Sequence, residues 1–398
     1  MTVKKIQIFL TVLSIAASSF CGCAKPESKV VAGKISSNAG KYNSIDVNGN
    51  TVYVSYYDSE NMDLMLARSM DSGLTWKESD IRKVDSKGNV GHDSCIAVDG
   101  NNVYISYYDS TSRNLKFARS VDGGLTWKPE HIITVDTDKG AGMFSSVALS
   151  GKYIYLSYSN KKARQLKFAV SADRGKTWKK DDIRVVDDTA VSKGGWYTSI
   201  AGQGDEVYIS YNGAYHQRKM GKSLKFAKSR DRGKTWKAAD IKIVEGPECS
   251  LGLYTSIALR DNNLYISYTS KKGLKLAFSG DRGDTWKPED IIIIDRAEKR
   301  EHFGYTSIAI NNGTIYISYV RADTLRFAKS DDCGLTWSRN NIQTLDTIVK
   351  KNRKGRFERG QTTSIATSGS NVFISYYDGL KEALRIARSK DNGQKWNR

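Results

Sequence analysis

Ser69-Met70-Asp71-Ser72-Gly73-Leu74-Thr75-Trp76 is the stretch on which the reading of this chain turns. Ser, Asp, Gly, Thr and Trp return in the same register around Asp122, Asp173, Asp231, Asp281 and Asp332. A seventh copy, Ser389-Lys390-Asp391-Asn392-Gly393-Gln394-Lys395-Trp396, carries Lys in place of Thr. The steps between the seven aspartates are 51, 51, 58, 50, 51 and 59 residues, and seven of the eight tryptophans belong to these copies.

Each position has a physical reason. The short Asp side chain accepts hydrogen bonds from backbone N–H groups just ahead of it and holds a tight turn. Gly two residues later adopts a positive φ at little cost. Trp then starts a strand and buries a large apolar surface beside the turn. A set repeated seven times is a structural device rather than one catalytic centre.

Between the turns, each repeat contains strand-like pieces of the kinds Ser199-Ile200-Ala201, Val103-Tyr104-Ile105-Ser106-Tyr107 and Leu115-Lys116-Phe117-Ala118-Arg119-Ser120. They are rich in β-branched and aromatic residues or alternate apolar with polar. The turn leads into a fourth piece, running from Trp127 through Ile132 and Ile133 to Val135 in the second repeat. Four antiparallel strands repeated seven times predict an all-β, seven-bladed β-propeller. The seventh repeat lacks room for a fourth strand before Arg398, whereas Val30-Val31-Ala32-Gly33 aligns with Val185-Val186-Asp187. The N-terminal piece is therefore expected to complete the seventh blade and remove an exposed edge.

Residues 1–23 read as a signal peptide and 24–398 as one propeller domain. Lys4 and Lys5 precede an apolar run from Ile6 to Ala17, too short for a stable membrane span. Phe20-Cys21-Gly22-Cys23 resembles a bacterial lipobox, which makes Cys23 the candidate lipidated residue; cleavage after Ala24 with plain secretion is the alternative. Cys95, Cys249 and Cys333 form no disulfide framework, and no Cys/His spacing suits zinc. His92, His131, His216 and His302 are scattered and read as surface residues. The net charge of +19 allows anionic partners, but no nucleic-acid-binding motif accompanies it.

The repeated turn resembles the Asp-box, or bacterial neuraminidase repeat, of the sialidase superfamily, and the resemblance covers the whole mature chain. It implies the propeller fold and leaves the activity open, since sialidases, other glycoside hydrolases, sortilin-type receptors and a photosystem assembly factor carry it. Sialidases place three arginines on the substrate carboxylate, with a Tyr–Glu nucleophile pair and an Asp acid. Here the Phe-Arg-Ile-Pro motif is missing, and none of the four prolines follows Arg-Ile. The nearest set that the resemblance implies is Asp93 as acid, Tyr305 with Glu301 or Glu358 as nucleophile pair, and Arg321, Arg356 and Arg359 as clamp.

In a propeller the extra residues near 187–196, 212–219 and 346–361 enlarge the face opposite the Asp turns, which marks it as the binding side. The position two before the Ser of each inner strand should ring the channel: Tyr42, Asp93, Phe144, Tyr197, Tyr254, Tyr305 and Thr362. With Trp196, these aromatics offer a stacking surface for sugars. The loops between second and third strands divide by charge. Asp58, Asp109 and Asp378 lie on one side, and Lys161, Lys162, Arg164, Arg218, Lys219, Lys271, Lys272 and Arg321 on the other. The expectation is a secreted or lipid-anchored monomer that binds an anionic glycan or a protein partner without catalysis, needing no cofactor or metal. It touches the membrane only through its lipid. A sialidase-like hydrolase is the second reading and an extracytoplasmic assembly scaffold the third.

Overall fold

A computed structural model describes residues 29–30, 39–188, 196–214, 222–246, 254–298, 301–348 and 362–397. They form seven sheets of four antiparallel strands, ordered from first to fourth in each blade. Blade one comprises Ala39–Asn48, Thr51–Asp58, Asp63–Ser69 and Ile81–Asp85. Blade seven comprises Thr363–Ser368, Asn371–Asp378 and Ala383–Ser389, and its fourth strand is Lys29–Val30, pairing Lys29 with Ile386 and Val30 with Arg385. Asn397 bridges to Arg388 on the same flank. The pairing begins one residue earlier than expected, and Val31, Ala32 and Gly33 lie outside the described residues, as do the leader and Cys23. Among the described residues no helix is long and apolar enough to cross a membrane.

The repeated turn is held by its Asp. Asp122 accepts Ser120 Oγ at 2.6 Å, the N–H of Leu125 and of Thr126 at 3.0 Å each, and Thr126 Oγ1 at 2.6 Å. The Ser oxygen in turn accepts the glycine N–H, as Ser120 Oγ does from Gly124 at 3.0 Å. Two successive residues adopt positive φ, such as Arg174 at 61° and Gly175 at 74°, the geometry of a primed turn. A Cβ on Gly175 would also stand 2.5 Å from the Phe117 ring. Trp178 sits edge-on to that same ring at 5.0 Å, and Trp236, Trp286 and Trp396 repeat the contact on Phe168, Phe226 and Phe327 of the preceding blades. The tryptophan does not begin the fourth strand as expected. A 3-10 turn such as Pro129–His131 intervenes, and the strand starts at Ile132.

The apolar cores lie between blades. Tyr208, Leu224 and Phe226 of blade four, for example, pack with Ile257, Leu264, Ile266 and Tyr268 of blade five. A polar contact closes six of the gaps near the outer strands. Asp85, at the end of blade one, accepts Tyr107 Oη at 2.7 Å and pairs with Lys116, both from blade two. Asp136 does the same with Tyr158 and Lys167, and Asp187 with Tyr211 and Lys225. Glu245, Asp295 and Asp346 accept Tyr268, Tyr319 and Tyr376. Blade one differs: Met65 replaces the Lys, and the residue aligned with the Asp is Ala32. In the sequence, then, neither the acid nor the base has a counterpart at the junction of blades seven and one.

Candidate functional site

The inner strands enter the channel through a backbone irregularity. Their pairing slips between Lys41 and Ser44, between His92 and Cys95, and between Met143 and Ser146. At each slip one residue lies in the left-handed region: Tyr42, Asp93, Phe144, Tyr197, Tyr254 and Tyr305 have φ between 37° and 64°. Such a conformation costs a non-glycine residue of order 1–3 kcal/mol and persists only where its surroundings enforce it.

Hydroxyls supply that enforcement. Ser94 donates to the Tyr42 carbonyl at 2.8 Å, Ser145 to that of Asp93 at 3.1 Å, and Thr198 to that of Phe144 at 3.0 Å. Each of these side chains also bonds a second-strand serine of the preceding blade: Ser55 with Ser94, Ser106 with Ser145, and Ser157 with Thr198, at 2.7–3.0 Å. Pairs on Ser210, Ser267 and Ser318 continue the ring. At the seventh junction Ser375 donates to Asn43 Oδ1 at 2.7 Å, and the Asn43 N–H donates to Thr362 Oγ1 at 2.8 Å. One residue further along, Ser44 Oγ accepts the Ile96 N–H of the next blade at 3.2 Å, and equivalent bonds recur on Ser146, Ser199, Ser256, Ser307 and Ser364.

All seven expected ring positions line one cavity of about 200 Å³ at the channel mouth. Phe144, Tyr197, Tyr254 and Tyr305 form a continuous arc, with ring centroids 4.1, 4.3 and 4.0 Å apart. Trp196 stacks behind Phe144 at 6.3 Å. Burial, with Tyr305 adjacent, pushes the Tyr254 phenol well above its ordinary range, so it stays protonated. Asp93 interrupts the aromatics in blade two and accepts the Phe144 N–H at 3.1 Å. Among the described residues that line the cavity there is no Lys, Arg or His.

His92 is not a surface residue. Its ring lies 4.9 Å from Tyr42 and 4.2 Å from Tyr57, and Nε2 bonds Asn89 Oδ1 at 2.8 Å. Burial lowers its pKa to about 4, so it is neutral.

The face opposite the Asp turns holds the channel mouth, but its charges are arranged differently from the sequence reading. Asp58, Asp109 and Asp378 are buried at 5%, 5% and 1% exposure and cap their own turns. Asp109, for example, accepts the N–H groups of Thr111 and Ser112 at 2.9 and 3.1 Å. They offer no acidic patch. Lys161, Lys162, Arg164, Lys271 and Lys272 are exposed on their turns. Arg321 is not: it pairs with Asp295 and Glu301 at 2.7 Å each and stacks on Phe303. Glu301 is correspondingly engaged by Arg321. Burial alone would raise its carboxyl, but the guanidinium holds it below the usual range. Of the hydrolase set, Asp93 and Tyr305 therefore share the cavity, while Glu301 serves an ion pair. Arg218, Arg356, Arg359 and Glu358 lie outside the described residues. Among the described residues no cluster of His, Cys, Asp and Glu could hold a metal ion.

No protein-family model and no curated protein sequence matches the chain. Solved structures do. The endosialidase of phage phi92 superposes with a TM-score of 0.54 at 10% identity, over 92% of this chain and 69% of that one. An α-L-arabinanase from Penicillium chrysogenum gives 0.51 at 10% identity, over 92% and 96%. A prolyl endopeptidase gives 0.52 at 8% identity, over 90% and 50%. At such identities the likeness is one of fold: the chain is similar to β-propellers found in an endosialidase, an arabinanase and a peptidase alike.

Proposed function

We propose that the chain is an extracytoplasmic binding module that holds the terminal residue of a glycan in the channel mouth without cleaving it. The observation that carries this reading is the aromatic arc of Phe144, Tyr197, Tyr254 and Tyr305 over a hydroxyl-lined cavity. Aromatic faces take the apolar side of a sugar ring, while Ser and Thr hydroxyls and the protonated Tyr254 phenol meet its hydroxyls. The cavity is smaller than the ~300–1,000 Å³ of ordinary small-molecule sites, which suits one sugar residue rather than a chain. The endosialidase and arabinanase resemblances support a glycan as the ligand, and the engagement of Glu301 by Arg321 argues against a Tyr–Glu nucleophile pair. The leader supports anchoring through Cys23.

A sialidase-like hydrolase is the second reading, favoured by Asp93 and Tyr305 in one cavity. A glycan array run beside a fluorogenic sialoside assay separates the two. Glycan binding that Tyr197→Ala abolishes, with no turnover, is the expected result. Turnover that Tyr305→Phe and Asp93→Asn both abolish would replace the binding reading, and binding of a protein but no glycan would overturn it.

A further inference from the structure

The described wall of the cavity is polar and aromatic, and the one acidic side chain in it is Asp93. Asp93 holds the ring position in blade two that aromatics occupy in blades one and three to six. The cation that the sequence would have aimed here, Arg321, is turned into a salt bridge with Asp295 and Glu301. The exposed basic turns at Lys161, Arg164 and Lys271 contribute nothing to the lining. Four aromatic rings in contact, one carboxylate and hydroxyls form the surroundings that favour a positive group. Ring faces attract cations through their quadrupoles, and a nearby carboxylate adds a charge-assisted partner.

We propose that the channel mouth is a cage for an ammonium group, and that the glycan it takes carries a free amine, as an amino sugar does. This rests on the glycan-binding reading above and sharpens it, since it exchanges the anionic ligand expected from net charge for a cationic one. The net charge of +19 belongs to the whole chain, and solvent-exposed charge is screened by salt more than groups that line a cavity.

The experiment is calorimetric titration of the full chain with three β-1,4-linked disaccharides that differ only at carbon 2: the glucosamine dimer, its N-acetylated form, and the glucose dimer. Tetramethylammonium, followed by tyrosine fluorescence, serves as a cation probe without a sugar. The glucosamine dimer should bind at least tenfold more tightly than the other two. Asp93→Asn, which keeps an oxygen for the Phe144 N–H, should erase that preference while leaving the melting temperature unchanged. Tyr254→Phe should keep the preference and Tyr254→Leu should lose it, since only the first retains a π face. Equal binding of the three sugars would overturn the amine inference and leave the glycan reading standing. Tetramethylammonium binding that Asp93→Asn weakens, with no sugar bound, would keep the cage and remove the glycan. Absence of any binding would remove both.

Discussion

Replacing Asp85 by Ala removes one partner from a buried inter-blade contact. Asp85 is 3% exposed, Lys116 8% and Tyr107 0%. The carboxylate accepts Tyr107 Oη and the Lys87 N–H and pairs with the Lys116 ammonium. Without it, the buried Lys116 side chain loses its carboxylate partner between blades, and breaking a buried ion pair in this way costs about 3–5 kcal/mol. The double replacement Asp85→Ala, Lys116→Met introduces the residue types that the sequence itself aligns with this pair in the seventh and first repeats, Ala32 and Met65. Swapping a whole buried pair for apolar residues is close to neutral, so the double variant should lie within ~1.5 kcal/mol of the parent. The two single costs together should then exceed that of the double variant by about 1.5 kcal/mol or more, even if Lys116→Met alone costs nothing, and that excess is the coupling energy. Urea denaturation followed by tryptophan fluorescence measures all the corners of the cycle. Burial alone would raise the Asp85 carboxyl, but Lys116 and Tyr107 hold it below its ordinary value. Its contribution is therefore present above about pH 4 and lost as pH falls through the folded value. The Asp85→Ala variant should accordingly show a flatter acid limb. Additive single costs, or a single cost below ~1 kcal/mol, would refute this reasoning.

Asp332→Ala should lower stability by about 1–2 kcal/mol, since it removes two charge-assisted hydroxyl contacts and one backbone bond at an exposed turn. A melt and one binding curve should show lower stability with binding intact. Deleting residues 24–36 removes the strand that pairs with Ile386 and Arg385; the melting temperature should fall sharply, and an unchanged value would dismiss that strand as a structural element. Cys23→Ser should move the protein from the membrane fraction to the soluble one, as read by cell fractionation; equal partitioning would favour plain secretion.

Much of the fold could be read from local signals. The Asp turn satisfies its own backbone within eight residues, so its sequence reports its shape directly, and the ring position two before each inner-strand Ser followed from register alone. The site was less legible where the answer depended on another blade. Arg321 looks like a free cation until Asp295 and Glu301 are seen beside it. Asp58, Asp109 and Asp378 look like surface acids, yet each caps its own turn. Asn160, at the same position in blade three, accepts the Ala163 N–H and could have signalled that role, because a neutral Asn does the same work. The hydroxyl ring that holds the strained residues joins Ser and Thr side chains 39 to 45 positions apart, and only the stacking of blades brings them together. The inter-blade acids were visible as an unexplained recurrence of Asp or Glu at the end of the fourth strand.

The bonds that join blade seven to blade one span 319 and 332 residues, from Thr362 to Asn43 and from Asn43 to Ser375. Every other junction can form as soon as the next fifty or so residues are available. This one sets a clock: the first blade must wait, with its inner flank uncovered, until nearly the whole chain has been made. Chains grow at ~5–20 residues per second, so that flank stays open for tens of seconds during synthesis. A molecule interrupted anywhere before Ser375 can stack blades but cannot seal the ring. Closed rings and products that stop before Ser375 are therefore distinguishable to any protease that attacks loose edges, and closure works as a test that the seventh blade has been made.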